Sequence, residues 1–131
     1  MKLASTIGRY LLGIMFTVFG ANGFLHFISQ PPPASPLALQ FLTAAVTSHF
    51  MVLIFLLQLI AGILLLIDRL VPLALVVLAA ILTNILNYHI TMDPGGIGPG
   101  LVATLLWILT ALAYRYNFRG ILAIEADPTN R

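Results

Sequence analysis

A long stretch without formal charge is the feature that most restricts how this chain can fold. Between Arg9 and Asp68 there is no aspartate, glutamate, lysine or arginine. Only 8% of the 131 residues are charged, 60% are hydrophobic, and the mean hydropathy is +1.05. A soluble domain carries about 25% charged residues, and a chain this short cannot bury so much apolar surface in a water-soluble core. The composition therefore predicts a single-domain integral membrane protein whose main partner is the lipid bilayer.

Two further features of the composition exclude classes of function. The net charge is only +2 although the pI is about 9.4, which is too small an excess of positive charge to indicate a nucleic-acid partner. The chain has no cysteine, so it forms no disulfide, no thiolate metal site and no iron–sulfur cluster held by thiolates.

Apolar segments long enough to cross a bilayer occur four times. A helical crossing needs about 20 mostly apolar residues at a rise of about 1.5 Å each. The segment nearest the N-terminus is expected to be a span rather than a signal peptide, because Arg9 interrupts its apolar run and no convincing cleavage site follows. We therefore expect an all-α fold, a four-helix transmembrane bundle. The predicted spans are residues 7–27, 50–67, 72–91 and 99–118.

All basic residues fall on one side of these predicted spans. With four crossings, both termini and the second-to-third turn share that side, and the opposite loops contain no lysine or arginine. The positive-inside rule then places both termini, including the tail at 120–131, in the cytoplasm. Arg9 and Asp68 should lie at the same level and form an ion pair. The basic residues are Lys2, Arg9, Arg69, Arg115, Arg119 and Arg131.

The first external loop, residues 29–48, is long and uncharged. Pro31–Pro33 favour an extended polyproline segment, and Ser35 followed by Pro36 is typical of a helix start. Apolar and polar residues then recur at helical spacing over residues 37–47. We expect an amphipathic helix that either lies along the outer interface or runs into the second span. On a functional interpretation this helix is a lid over the outer end of the bundle. On the simpler interpretation it is an ordinary interfacial helix.

Polar side chains concentrate near the outer ends of the predicted spans. In hydrocarbon an amide or imidazole without a partner costs several kcal/mol, so we expect the first and third spans to direct these groups into one pocket. A quinone head group is the first ligand to consider, because it needs hydrogen-bond donors and an apolar route for its tail. The ligand-binding candidates are Asn22, His26, His49, Asn84, Asn87 and Tyr88.

Two other interpretations of the same end stay open. Three histidines and one carboxylate at one level are typical of a metal site, and two histidines of a haem-iron site. Alternatively, the imidazoles only bond backbone and lipid head groups, as amphipathic side chains do at interfaces. His89 lies about 140° from Asn84 around its helix and need not join the amides. The alternative metal ligands are His26, His49, His89 and Asp93.

Gln58 is the one strongly polar side chain near the middle of the second predicted span. An amide at that depth should face another helix and form a hydrogen bond. We expect it to point into the bundle, toward Asn84 or another polar group.

Three stretches of the chain resemble the DoxX-like family of small four-span membrane proteins. They are GRYLLGIMFTVFGANGFLHF at 8–27, the proline-rich loop, and QLIAGILLLIDRLVPLALVVLAAILTNILNYHI at 58–90. The resemblance implies a four-helix bundle in a bacterial inner membrane. It also implies an accessory or quinone-associated role in a membrane redox complex, beside other redox subunits or a second copy. It brings no catalytic residue set, which favours a non-enzymatic role.

A small-molecule transporter or an assembly factor for membrane proteins is the remaining hypothesis. A transport path needs polar or charged groups through the bilayer. Because the inner half of the predicted bundle offers little beyond Gln58, the sequence disfavours transport.

Overall fold

Every regular element of the protein is a helix over the part of the chain that its computed structural model describes, residues 2–126 and residue 128. Arg131, one of the six basic residues counted above, lies outside these described residues. Short 3₁₀ turns cover Pro94–Gly96 and Arg115–Phe118. The α-helices are α1 (Lys2–Leu25), α2 (Pro36–Thr47), α3 (Met51–Leu66), α4 (Val71–Thr91) and α5 (Gly98–Ala113).

Two of these helices, α1 and α4, are long and apolar enough to cross a membrane, and α2 with α3 counts as a third span if the bent pair is taken together. Helices α3 and α5 have only 16 residues each, which is about 24 Å and less than the hydrocarbon thickness of about 30 Å. The fourth predicted span is therefore too long at its C-terminal end. After Ala113 the chain continues as a 3₁₀ turn, because the Tyr114 N–H bonds to both Thr110 O and Ala111 O.

Helix α2 begins where the sequence predicts, but it does not run into α3. Ser35 Oγ accepts a hydrogen bond from Ala38 N at 3.3 Å, and Pro36 occupies the first turn. The axes of α2 and α3 differ by 83°. The break falls at His49, whose φ of 61° is left-handed and cannot continue a right-handed helix. The alternative in which this helix runs into the second span as one continuous helix is therefore wrong.

The four helices α1, α3, α4 and α5 pack side by side. α1 packs against α3 and α5, and α4 packs against the same two helices, so α1 and α4 lie diagonally opposite each other. The pairs α1–α3 and α4–α5 are antiparallel: Gly13 lies against Gly62 whereas Gly20 lies against Leu59. In the same way, Trp107 Nε1 donates to Leu75 O at 2.8 Å, whereas the earlier Gly100 lies against Ile85. The centre is filled by buried side chains that include Leu12, Phe16, Leu65, Leu75, Leu78 and Leu82.

Backbone contact distinguishes the pair α1 and α3 from the other helix pairs. A Cβ added at Gly62 would lie 2.5 Å from Thr17 N and 3.0 Å from Gly13 O, and one at Gly20 would lie 2.7 Å from Leu59 N. At such separations only glycine fits, because a Cβ would overlap the backbone of the partner helix. This is the small-residue packing by which helices approach closely in membranes.

Replacing Gly62 with alanine should therefore destabilise the protein. We expect the Gly62→Ala variant to lose about 1–3 kcal/mol of unfolding free energy through overpacking, although alanine has the better helix propensity by about 1 kcal/mol. Gly98→Ala is the control, since a Cβ there meets no atom within 4 Å. Unfolding in detergent, followed by circular dichroism, measures the difference. Equal midpoints for the two variants would show that α1 and α3 are not in backbone contact.

Candidate functional site

A buried arginine joins three helices at the end of the bundle that contains the α3–α4 turn (residues 67–70), called here the turn end. Arg9 is only 6% exposed. Its Nη1 donates to Leu65 O and lies 3.5 Å from Asp68 Oδ1. Tyr114 OH, just after α5, donates to the same Asp68 oxygen at 3.3 Å. The predicted ion pair between Arg9 and Asp68 is confirmed, whereas the Leu65 carbonyl and Tyr114 were not predicted as members of the cluster.

The local fold of the turn explains why Arg9 is held there. Asp68 is left-handed, with φ 56°, and the Arg69 N–H bonds back to Leu64 O at 3.0 Å. The last carbonyls of a helix lack intrahelical donors and carry partial negative charge. The guanidinium of Arg9 supplies a positively charged donor to one of them. Arg9 therefore caps the end of α3 from a different helix.

The carboxylate of Asp68 contributes less to stability than the hydrogen bond from Arg9 to Leu65 O. Its side chain is 61% exposed, compared with 7% for that of Arg9. Exposed ion pairs are screened by solvent and contribute about 0–1 kcal/mol. The bond from Arg9 to Leu65 O is buried and is the stronger part of the cluster.

At the opposite end, called here the histidine end because His26, His49 and His89 lie there, Asn22 serves to end α1. Its Oδ1 accepts the Ile28 N–H at 2.7 Å, and its Nδ2 donates to Ile28 O at 3.4 Å. His26 follows the helix with a left-handed φ of 52° and is exposed. The amide of Asn22 is thus engaged by backbone rather than presented to a ligand.

His49 has the same kind of position at the end of α2. It is exposed, with φ 61°, and its N–H bonds to Val46 O at 3.1 Å. Glycine or asparagine usually occupies such left-handed positions after a helix, and histidine is one of the other residues enriched there. His26 and His49 therefore act through their backbone, each as an exposed left-handed residue that ends a helix.

Tyr88 is the candidate that α2 covers. Its ring centroid lies 5.7 Å from that of Phe41 on α2 and 4.9 Å from that of His89. Its hydroxyl oxygen is buried, with no hydrogen-bond partner among the described residues. His89 Nδ1 lies 2.8 Å from Ile85 O, so this imidazole is bonded to its own helix. Asp93 borders it across Gly96, where an added Cβ would lie 2.9 Å from Asp93 Oδ2 and 3.1 Å from His89 Nε2.

The structure does not bring the six ligand candidates into one pocket. Asn22 lies in α1 and His26 directly after it, and α1 lies diagonally across the bundle from α4. Asn84 and Asn87 are exposed on the outside of α4, and Asn84 Nδ2 donates to Ala80 O of its own helix at 3.0 Å. These positions do not support a shared pocket, because Asn84 and Asn87 are exposed and the amide of Asn22 is bonded to Ile28.

The alternative metal site is also wrong. Within residues 2–126 and 128 no three or more histidine and acidic side chains are grouped in a way that would hold a metal ion. His26 and His49 are exposed, and the Nδ1 atom of His89 is bonded to Ile85 O of its own helix. The residues expected to bind the metal ion were His26, His49, His89 and Asp93.

Gln58 faces the interior, as predicted, and is 7% exposed. Asn84 is not its partner, because Asn84 lies on the outside of α4.

Two surface clefts lie away from all six candidates. One, of about 200 Å³, lies between α1 and α5 at the turn end and is lined by Lys2, Ser5 and Arg115 with apolar side chains. The other, of about 510 Å³, is an open groove on the outer face of α2 beside Gln40 and Thr43. Arg9, in contrast, is buried and its cluster joins three helices, and the signal of this cluster in the sequence was a lone cation inside an apolar run.

Comparison of the chain with protein-family models, with curated proteins and with solved structures found no match.

The two halves of the Arg9 cluster should differ in their contribution to stability. Arg9→Met keeps most of the side-chain length but removes the cap on Leu65 O, and we expect a loss of about 1–3 kcal/mol. Asp68→Asn is the matched variant and should cost less than about 1 kcal/mol, because its carboxylate is exposed. Unfolding in detergent at low and high salt measures both, and only the ion-pair part of the loss, which the two variants share, should depend on salt. A larger loss for Asp68→Asn would contradict this account.

Proposed function

We propose that this chain is a four-crossing membrane bundle, with both termini on the cytoplasmic side of a bacterial inner membrane, that serves as a non-catalytic accessory subunit of a membrane redox complex. The observation that carries the membrane assignment is the apolar exterior of the helices. The redox assignment is supported by the resemblance to the DoxX-like family.

Large apolar side chains are exposed on every one of the four packed helices. Each helix contributes several of them, and many are more than 40% exposed. A soluble monomer rarely exposes an apolar patch larger than a few hundred Å², whereas lipid chains remove the cost of such a surface. The exposed residues include Leu11 and Ile14 of α1, Leu53 and Leu56 of α3, Leu73 and Val76 of α4, and Leu101 and Leu105 of α5.

Four crossings are compatible with the two shorter helices. Each is flanked by further apolar residues, such as Phe50 before α3 and Ile67 after it. A bilayer also thins around short spans at a cost of fractions of a kcal/mol per Å. We therefore count α3 and α5 as crossings together with α1 and α4.

The distribution of charge supports the cytoplasmic assignment of the turn end. Lys2 and Arg9 on α1 lie at this end, with Arg69 in the turn and Arg115 and Arg119 after α5. Within the described residues the loops at the histidine end carry neither lysine nor arginine. Such asymmetry favours the turn end as the cytoplasmic one.

Cysteine labelling in intact cells tests this topology, and the chain has no native cysteine to give background. We expect Ala34→Cys and Gly95→Cys to react with an impermeant maleimide, since both sites are exposed and a Cβ at Gly95 meets no atom within 4 Å. Gly120→Cys, equally unobstructed, should react only after the cells are permeabilised. The reverse pattern would refute the proposed orientation.

The redox role is tested in the native membrane. We expect the tagged chain, extracted in mild detergent, to co-purify with subunits that show haem or flavin absorbance and are reduced by a quinol. Deletion of its gene should lower the quinol-linked activity of those membranes, and the wild-type chain should restore it. A colourless preparation, together with unchanged activity after deletion, would rule out the redox assignment while leaving the topology intact.

A further inference from the structure

We propose that two copies of this chain pair in the membrane through one exposed face of α4, where the side-chain amides of Asn84 and Asn87 hydrogen-bond to those of the partner copy. This inference rests on the proposed membrane placement. The face, called here the α4 polar face, consists of Ala80, Thr83, Asn84, Asn87 and Thr91.

The residues of the α4 polar face lie on one side of the helix and outside the bundle. At 100° per residue they fall within about 100° of one another. All five are exposed. Apart from Tyr88 and His89, the rest of α4 is apolar, and the helix has a mean hydropathy of 2.0 over its most apolar window. The amides are therefore exposed on a helix that otherwise suits lipid.

Depth makes this exposure costly. The 21 residues of α4 span about 31 Å, close to the hydrocarbon thickness of a bilayer. Asn84 lies seven residues before the end of the helix at Thr91, or about 10 Å below that end. It is too deep for the head groups to hydrate it, and lipid chains offer no hydrogen bonds.

The threonine hydroxyls of this face already form hydrogen bonds, whereas the side-chain amides of the asparagines keep donors and acceptors that no hydrogen bond among the described residues uses. Thr83 Oγ1 donates to Ala79 O and Thr91 Oγ1 donates to Asn87 O, each at 2.7 Å. Asn84 Nδ2 donates to Ala80 O. This bond uses one of its two N–H donors and leaves the second donor and the carbonyl oxygen. Asn84 and Asn87 are thus the groups that a partner must satisfy.

A second copy of the chain supplies the chemistry that these amides need. Two copies inserted with the same orientation are related by a two-fold axis along the membrane normal, so their α4 helices are parallel and each residue meets its own counterpart at equal depth. An amide carries both donor and acceptor, and therefore pairs with itself. Ala80, one turn below Asn84, is small enough to let the two helices approach.

Disulfide cross-linking in native membranes tests the pairing. We expect Ala80→Cys, which leaves both amides in place, to form covalent dimers on mild oxidation. Leu105→Cys is the control, because it is exposed on α5, a different side of the bundle, and lies within the same hydrocarbon layer, seven residues from the helix end on the same side. It should give only the background of random collisions.

In the second step the two amides are removed from the chain that carries Ala80→Cys. Adding Asn84→Leu and Asn87→Leu to Ala80→Cys should lower the cross-linked fraction by about fivefold or more, the effect of interhelical hydrogen bonds in membranes. Both substitutions are on the outside of the bundle and leave its core unchanged. Equal cross-linking of Ala80→Cys and Leu105→Cys, or no effect of the leucine substitutions, would overturn the pairing. An adduct of Ala80→Cys with a different membrane protein would overturn the assignment of a second copy.

Carbonate extraction of the same membranes separates this inference from the proposed function. An Ala80→Cys chain with both asparagines intact that stays in the membrane without cross-linking would refute the pairing alone. A chain that is extracted into the soluble fraction would refute the membrane placement and the pairing with it.

Discussion

The backbone contact between α1 and α3 determines how the other helices are arranged. Between helices in lipid there is no hydrophobic driving force, so close packing and hydrogen bonding must hold them together. Gly13, Gly20 and Gly62 allow that packing because they have no side chain of their own to hold the two helices apart. The same contact brings Arg9 of α1 beside the last turn of α3, where it caps Leu65 O. Packing and polar capping therefore reinforce each other along one helix pair.

This arrangement also decides which polar groups can meet. Because α1 is fixed between α3 and α5, α4 must lie on the far diagonal. The polar side chains of α1 and α4 are separated as a result, and each set is used locally. Asn22 holds Ile28, His89 bonds Ile85 O, and the asparagines of α4 face outward. The histidine end is thus a set of helix endings, and the shared interaction of the structure lies at the turn end.

Sequence reasoning succeeded where a single helix or turn decides the outcome. The helical class, the start of α2 at Ser35, the interior position of Gln58 and the ion pair of Arg9 with Asp68 all follow from local pattern or from topology. It failed for the shared pocket, because the direction in which Asn84 points depends on which helices are neighbours of α4. Composition and periodicity carry no information on that choice. The glycines of α1 and α3 did carry a signal, since Gly13, Gly20 and Gly62 mark the helices that pack closest.

The helix lengths add a consequence for the surrounding lipid. The long helices, α1 with 24 residues and α4 with 21, lie on one diagonal, and the two 16-residue helices lie on the other. Around its circumference the protein therefore presents a thick, a thin, a thick and a thin border, which differ by about 8–12 Å. In the proposed four-crossing placement, a bilayer that follows this border is thinner beside α3 and α5 than beside α1 and α4, at an elastic cost that grows with the mismatch. The deformation would then differ between the two diagonals of the bundle, so that its effect on a neighbouring membrane protein would depend on direction as well as on distance.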